Sequence, residues 1–229
     1  MNIAVIVAMD KELKLVLAQM ENKAEGEIEG VKTYTGEIGR HKVTAFKCGI
    51  GKVNAALTAY KAVSRLQPDL VINSGVAGGT DESMHIGQIL VAERIAYHDV
   101  WCGPGTVYGA ADGYPEYFPA DSKSVEVLKN LPEEAQSNIR YGLLCSGDKF
   151  ISTPEEVADI KKHFPDSLGC DMESAALAQT CSMLGIPFLC LRVMSDMPGG
   201  GENISEYQNF WSEAPERSFS VVKNLLGSL

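Results

Sequence analysis

The sequence predicts an α/β layer fold, a central sheet covered by helices on both faces, on three grounds. Several strand-like runs are apolar throughout, among them NIAVIVAM at 2–9, DLVINSGVAGG at 69–79 and PFLCLRVMSD at 187–196, and a strand without a polar face is one buried on both sides. These runs alternate with segments of helical spacing, which is the pattern of α/β layers. No linker-like composition break and no internal repeat divides the 229 residues, so one domain over 1–229 is expected. A chain of that length buries roughly 70% of its unfolded surface and needs no disulfide or metal staple.

The elements follow in order. After the first apolar run, DKELKLVLAQM turns to helical spacing. KTYTGEI and KVTAFKCGI flank Gly39-Arg40-His41 and predict a hairpin,. KVNAALTAYKAVSRL is an amphipathic helix stopped at Gln67-Pro68,. GQILVAERIAYHDV is a further strand. From Trp101 to Asp121 the composition shifts to glycine, proline and aromatics without a period, as in a lid or interface loop. SVEVLKNL reads as helix and IRYGLLCSGDKFI as strand. TPEEVADIKKHF reads as a helix with Thr153 as N-cap and Pro154 at its first position,. MESAALAQTCSMLG is helical and ends at Gly185 and Pro187,. A last helix is expected over 209–229, with Pro215 a local complication,.

Composition narrows the function. A net charge of −10 argues against nucleic acid as partner, because phosphate binding rests on clustered Lys and Arg. No segment approaches the ~20 apolar residues that span a bilayer, and the start has no basic n-region, so the cytoplasm and a small-molecule ligand are expected. The six cysteines form no C-x-x-C pair and read as reduced and structural,. The four histidines show no metal spacing, so neither metal nor cofactor is expected,.

In such folds ligands bind beyond the C-terminal ends of the strands. The strand ends carry Met9-Asp10-Lys11-Glu12, Gly49-Ile50-Gly51-Lys52, Val76-Ala77-Gly78-Gly79, Gly147-Asp148-Lys149-Phe150-Ile151 and Ser195-Asp196, while Asp171 and Glu173 open a helix. Each has a local structural reading as well. Asp10, Glu12, Asp171 and Glu173 fit a helix N-terminus electrostatically, and the glycines at 75, 78 and 79 fit turn chemistry. GIGK lacks Walker spacing and GVAGG fails the dinucleotide pattern. What favours chemistry is that Glu12, Glu173 and Asp196 all fall at one sheet edge, since paired carboxylates cleave glycosidic bonds by protonating the leaving group and activating water.

Taken in order, AMDKE at 8–12, GIGKVNAA at 49–56, INSGVAGG at 72–79, SGDKFI at 146–151, DMESAA at 171–176 and RVMSD at 192–196 resemble the 5′-methylthioadenosine/S-adenosylhomocysteine nucleosidases of the purine nucleoside and uridine phosphorylase superfamily. The resemblance covers essentially the whole chain. It implies a three-layer α/β/α domain with a mixed central sheet, a homodimer, and hydrolysis of the bond between adenine and a 5′-thio-substituted ribose. Carried over by position, Glu12 resembles the base that activates water, and Asp196 the acid that protonates the imidazole-ring nitrogen of the leaving purine. Glu173, beside Met172, resembles the carboxylate that grips the ribose hydroxyls. Phe150 resembles the ring stacked on adenine and the Ile151 backbone the adenine reader. Ile50, Met9 and Tyr207 resemble the wall around the 5′ group, Arg192 a pocket residue near the water, and Val76, Ala77 and Gly78 substrate-binding positions. An acid still protonated near neutral pH is required, so Asp196 has to be shifted up from the usual ~3.9 by burial or by neighbouring carboxylates. The glycine-rich segment after Asp196 is expected to close over substrate.

Four departures stand out: Val76 where many relatives carry Ser, Asp171 in place of the Glu before the Met-Glu pair, the composition of MPGGGENISEY at 197–207, and the individual 101–121 loop. The alternatives are a phosphorylase, a nucleosidase for aminodeoxyfutalosine, and a non-catalytic nucleoside binder. Related phosphorylases commonly place an Arg just before the turn that here follows Asn73 and Ser74, and Glu12 would repel a phosphate dianion.

Overall fold

The structure is a computed structural model that describes residues 1–198, 202–213, 223–224 and 226–228. The elements in chain order are β1 (Asn2–Val7), α1 (Asp10–Gln19), β2 (Glu21–Ile28), β3 (Val31–Ile38), β4 (His41–Lys47), α2 (Lys52–Leu66), β5 (Leu70–Gly79), β6 (Ile89–Tyr97), β7 (Phe118–Pro119), α3 (Ser122–Lys129), α4 (Glu133–Gln136), β8 (Ile139–Ser146), α5 (Pro154–His163), β9 (Ser167–Asp171), α6 (Ser174–Leu184), β10 (Phe188–Asp196) and α7 (Asn203–Glu213).

The strands form one mixed sheet in the order β10-β6-β8-β9-β5-β1-β4-β3-β2, with β7 on β6. β5 pairs in parallel with both β1 and β10, and in antiparallel with β9. Because β10 also pairs with β6, the strands β5, β9, β8, β6 and β10 close into a circuit. Alternation along β1 shows why both faces are covered. Ala4 and Ile6 pack with Ala55, Ala59 and Val63 of α2 and with Leu177 and Cys181 of α6. Ile3, Val5 and Val7 point the other way, to Leu13 and Val16 of α1, Leu128 of α3 and Phe210 of α7. A strand whose successive side chains alternate between two helical layers must be apolar at every position; all nine residues of β10 are likewise buried.

The apolar strands and amphipathic helices lie where their patterns place them, and the α/β class with a mixed sheet holds. Thr153 caps α5 as its sequence predicts: its hydroxyl accepts from the Glu156 N–H at 3.3 Å, and Glu156 accepts in return from the Thr153 N–H at 3.1 Å. Four elements had no readable signal, the two-residue β7 within the 101–121 stretch among them. β2, ENKAEGEI, is exposed along nearly its whole length and is a strand only because β3 offers it a ladder, the usual override of propensity by pairing. Its charges also blunt a sheet edge. β9 has five residues, SLGCD, too few to show a period. α4 is a single turn. The glycines of GVAGG lie within β5, not in a turn as their composition suggested. The last helix begins at Asn203, six residues earlier than expected, and the expectations for Gly199–Gly201 and for Pro215 fall outside the described residues.

Two details of register aim the functional edge. β10 runs parallel to β5 with Met194 beside Ala77, and a bulge then brings Asp196 beside Gly78. An extra residue in a strand re-aims the side chain that follows it, and here that side chain is a carboxylate.

Candidate active site

The C-terminal ends of β1, β4, β5, β8, β9 and β10 open onto one cleft, the place where ligands bind in such sheets. Glu12, Glu173 and Asp196 all line it, as do Met9, Ile50, Val76, Ala77, Gly78, Phe150, Ile151, Met172 and Tyr207. Of the residues singled out by sequence, only Arg192 stands back from the cleft wall, behind the acids. Ala8, Lys149, Cys170, Asp171 and Ser195 also line the cleft. Lys149, Ser195 and Asp171 stand at strand ends or a helix start that the sequence marks out, whereas Ala8 and Cys170 carry no chemical signal of their own.

Glu12 combines its two possible roles. It lies in the first turn of α1, and its Oε2 accepts from the Ala8 and Met9 N–H groups at 2.8 and 2.9 Å, satisfying donors that a helix start leaves open. Its Oε1 accepts from the Val76 N–H at 3.1 Å. Burial raises its proton affinity, while the Arg192 charge and the three N–H groups pull it back. Asp10, in the same turn, points outward and pairs with Lys47 at 2.8 Å, so only one of the two first-turn acids belongs to the cleft.

Asp171 and Glu173 divide in the same way. Asp171 accepts from the Ser174 N–H at 3.1 Å at the start of α6 and forms a buried ion pair with Arg192 at 2.7 Å. Arg192 is 2% exposed; its guanidinium also donates to Asn73 Oδ1 and, at 2.8 Å, to Ser174 Oγ. Glu173 caps nothing. Its Oε1 accepts from the Gly51 N–H at 2.8 Å, tying α6 to the turn before α2. Burial, and then repulsion from Asp171, raise its proton affinity.

Asp196 is 2% exposed and its pKa is pushed up to about 6, chiefly by burial, with the Glu206 charge adding to it. The Ser195 hydroxyl donates to its Oδ1 at 2.6 Å and, with Asn203, opposes the rise. Both causes named from sequence are present, and burial is the larger. The acid therefore keeps a proton into the neutral range, as protonation of a leaving group requires. Linkage has a definite sign: between the ordinary value and 6 the folded chain holds a proton that the unfolded chain has lost, so Asp196 makes stability fall as pH rises through that window.

Small residues make room for these groups. A Cβ at Gly75 would lie 2.7 Å from Glu12 Oε1 and 3.0 Å from Arg192 Nη1; one at Gly78 would lie 3.3 Å from Asp196 Oδ2 and 2.7 Å from Pro198 Cγ. The rest of the wall is apolar or aromatic. Phe150 meets Tyr207 edge-on, with centroids 5.8 Å apart, and the Tyr207 hydroxyl donates to Met9 Sδ at 3.4 Å.

Residues 2–227 match the model of the phosphorylase superfamily. A 5′-methylthioadenosine/S-adenosylhomocysteine nucleosidase from Lysinibacillus sphaericus is 38% identical, with the whole of both chains covered. One from Hydrogenovibrio crunogenus is 34% identical over all of this chain and 99% of its own. Among solved structures, the S. pneumoniae nucleosidase with the transition-state inhibitor MT-ImmA superposes with a TM-score of 0.94 at 34% identity, covering 100% of this chain and 99% of its own. The nucleosidase from Colwellia psychrerythraea in complex with adenine gives 0.92 at 32%, covering 100% and 96%.

The packing at Gly75 yields a direct test. Gly75→Ala must push the Glu12 carboxylate or the Arg192 guanidinium aside, so kcat is expected to fall by on the order of 10²-fold while circular dichroism still reports a folded chain. Undiminished turnover would show that Glu12 need not sit where the structure puts it.

Proposed function

This chain belongs to the phosphorylase superfamily and, within it, to the 5′-methylthioadenosine/S-adenosylhomocysteine nucleosidases; from that premise we propose how its cleft does the work. The reaction is hydrolysis of the N-glycosidic bond, which releases adenine and a 5′-thio-substituted ribose. The observation that carries the reading is the meeting of Glu12, Glu173 and Asp196 in one cleft.

Each acid supplies what one end of the breaking bond needs. As the bond lengthens, adenine gains negative charge and the ribosyl centre becomes an oxocarbenium ion. Asp196, raised to about 6, gives its proton to the imidazole-ring nitrogen of the base. Glu12, whose proton affinity burial raises and the Arg192 charge and three backbone N–H groups moderate, takes a proton from the attacking water. Glu173 holds the ribose hydroxyls, and because burial and Asp171 raise its pKa to about 8, it favours the developing cation electrostatically in the fraction that is ionised. Phe150 stacks on the base, the Ile151 backbone reads its edge, and Met9, Ile50 and Tyr207 surround the 5′ group. Met172 lines the ribose side, and the backbone of Val76, Ala77 and Gly78 forms the floor. Arg192 acts from behind the wall, as the positive charge that steadies Glu12 and Asp171.

Water is favoured over phosphate as nucleophile for an electrostatic reason. A phosphate dianion would approach the Glu12 carboxylate, and the nearest buried cation is already committed to Asp171, Asn73 and Ser174. We read the chain as one nucleosidase domain over 1–229, acting in the cytoplasm, where its products would feed nucleoside breakdown and methionine salvage. It acts as a homodimer. Val53, Leu57 and Tyr60 form an exposed apolar stripe on α2, and Ile50, Trp101, Val107 and Met183 are exposed as well. An uncovered apolar face of that kind marks an interaction surface.

Methylthioadenosine incubated with the purified chain should yield adenine at the same rate with and without phosphate; turnover that depends on phosphate would replace hydrolysis by phosphorolysis. Loss of the Asp196 proton lowers kcat/KM above about 6 while ionisation of Glu173, raised to about 8, favours it, so the fall of tenfold per pH unit above about 6 should be read in Glu173→Gln,. Asp196→Asn and Glu12→Gln should each lower kcat by ~10²–10⁴-fold without unfolding the chain, and a variant that changes only KM would lose its assigned role. Sedimentation should report a dimer that Leu57→Glu converts to monomer; a wild-type monomer would refute the assembly.

A further inference from the structure

Two carboxylates from distant parts of the chain meet the start of α2. The Gly51 N–H donates to Glu173 Oε1 at 2.8 Å, and the next N–H, that of Lys52, donates to Asp148 Oδ1 at 2.7 Å. Gly51 opens α2 and offers no capping side chain, so Asp148, from the loop after β8, satisfies a donor that the helix start leaves open. Glu173 lines the cleft. Asp148 stands outside its wall with a side chain 47% exposed, and the proposed reaction gives it no task.

Asp148 is itself held in place. Its N–H donates to Asp99 Oδ2 at 2.8 Å, and Asp99 accepts from the Lys52 amine at 2.7 and 2.8 Å. These bonds and the one from the Lys52 N–H close a ring that joins the start of α2 to the loops after β6 and β8. Gly51 explains why one N–H needs such a frame. Its φ is +92°, a conformation that glycine adopts freely and other residues rarely do, so no side chain restrains the peptide aimed at Glu173. Gly49, at +88°, adds the same freedom two residues earlier. The restraint comes from bonds on either side: Asn54 Nδ2 donates to the Ile50 carbonyl at 2.8 Å, and Asp148 takes the Lys52 N–H. A Cβ at Gly51 would lie 3.1 Å from Asp148 Oδ1, so the carboxylate packs directly against the hinge.

We propose that Asp148 is a positioning residue for the ribose subsite: by holding the Lys52 N–H it fixes the Gly51 turn, and so aims the Gly51 N–H that holds Glu173 toward the sugar hydroxyls. Asp148 touches no part of the substrate and acts only through Glu173. Without it the glycine hinge relaxes, the Gly51 N–H swings away, and Glu173 loses the one backbone donor that fixes its carboxyl group.

This inference rests on the nucleosidase reading, and its test separates the two. Turnover of methylthioadenosine is measured for the wild type, Asp148→Ala, Asp148→Asn, Glu173→Gln, and Asp148→Ala combined with Glu173→Gln. Asp148→Ala removes a hydrogen bond to a charged group and should lower kcat/KM on the order of 10-fold. Asp148→Asn keeps an oxygen for the Lys52 N–H and should recover most of that loss; a carboxamide no better than alanine overturns the proposal. Changes that act through one group do not add, so Asp148→Ala should cost almost nothing further once residue 173 is Gln. Fully additive losses would show a role in the fold alone. Adenine carries no ribose and should inhibit Asp148→Ala as strongly as wild type, whereas an equal loss of adenine affinity would place the effect elsewhere and sink the idea. If the alanine variant does not fold, Lys52→Pro decides in its place: it deletes the same N–H at the first helical position, where proline is tolerated, and is compared with Lys52→Ala, which keeps it. A wild-type chain that releases no adenine from methylthioadenosine would remove the nucleosidase reading beneath it.

Discussion

Too much negative charge is buried around one cleft, and much of the structure is arranged around that constraint. Glu12, Asp171, Glu173 and Asp196 are each less than a tenth exposed, and among the described residues Arg192 is the only Lys or Arg buried with them. One guanidinium cannot neutralise four carboxylates. It is spent on Asp171, in a pair with both side chains 2% exposed, and its remaining field reaches Glu12. Burial, with repulsion from Asp171 on Glu173 and from Glu206 on Asp196, leaves both holding protons more tightly than free carboxylic acids do. An acid poised near neutral pH follows from withholding a counter-charge, at some expense in stability, which is the common trade at active sites.

The sheet makes this crowding possible. β5 is shared by three partners, and its closure with β10, β6, β8 and β9 brings strand ends from distant parts of the chain to one rim. The bulge in β10 turns Asp196 to the same side as Gly78, and the absence of side chains at Gly75 and Gly78 leaves the volume into which Glu12 and Asp196 fit. Tethers then lock the loops. Gly51 holds Glu173, and Lys52 donates to Asp99 at 2.7 and 2.8 Å while its own N–H reaches Asp148 at 2.7 Å. The loops that carry Gly51, Asp99 and Asp148 are thus tied to one another and to α6, the kind of preorganisation on which proximity effects depend.

Buried strands and amphipathic helices could be read directly, because burial on both faces or on one face leaves a period in the residues that carry it. β2 and β9 could not, since a strand recruited by its neighbour, or one of five residues, leaves no such record. The candidate site was readable to a similar depth. Ordered motifs located eleven residues that the cleft does gather, and the resemblance added Tyr207. They could not say that Asp10 would face solvent while Glu12 faced inward, nor that Asp171 would cap a helix while Glu173 did not. Each pair sits in one turn or one short motif, and only packing against other strands tells its members apart.

Local pattern was thus enough for an α/β chain with acids at its strand ends and a family resemblance running its whole length, because hydrophobic period and motif order are properties of neighbouring residues. Which acids share a cleft, which one the arginine neutralises, and which is left to hold a proton were decided by the folded chain alone. Proton affinity depends on distances and on excluded water between segments more than a hundred residues apart, and no linear pattern carries those.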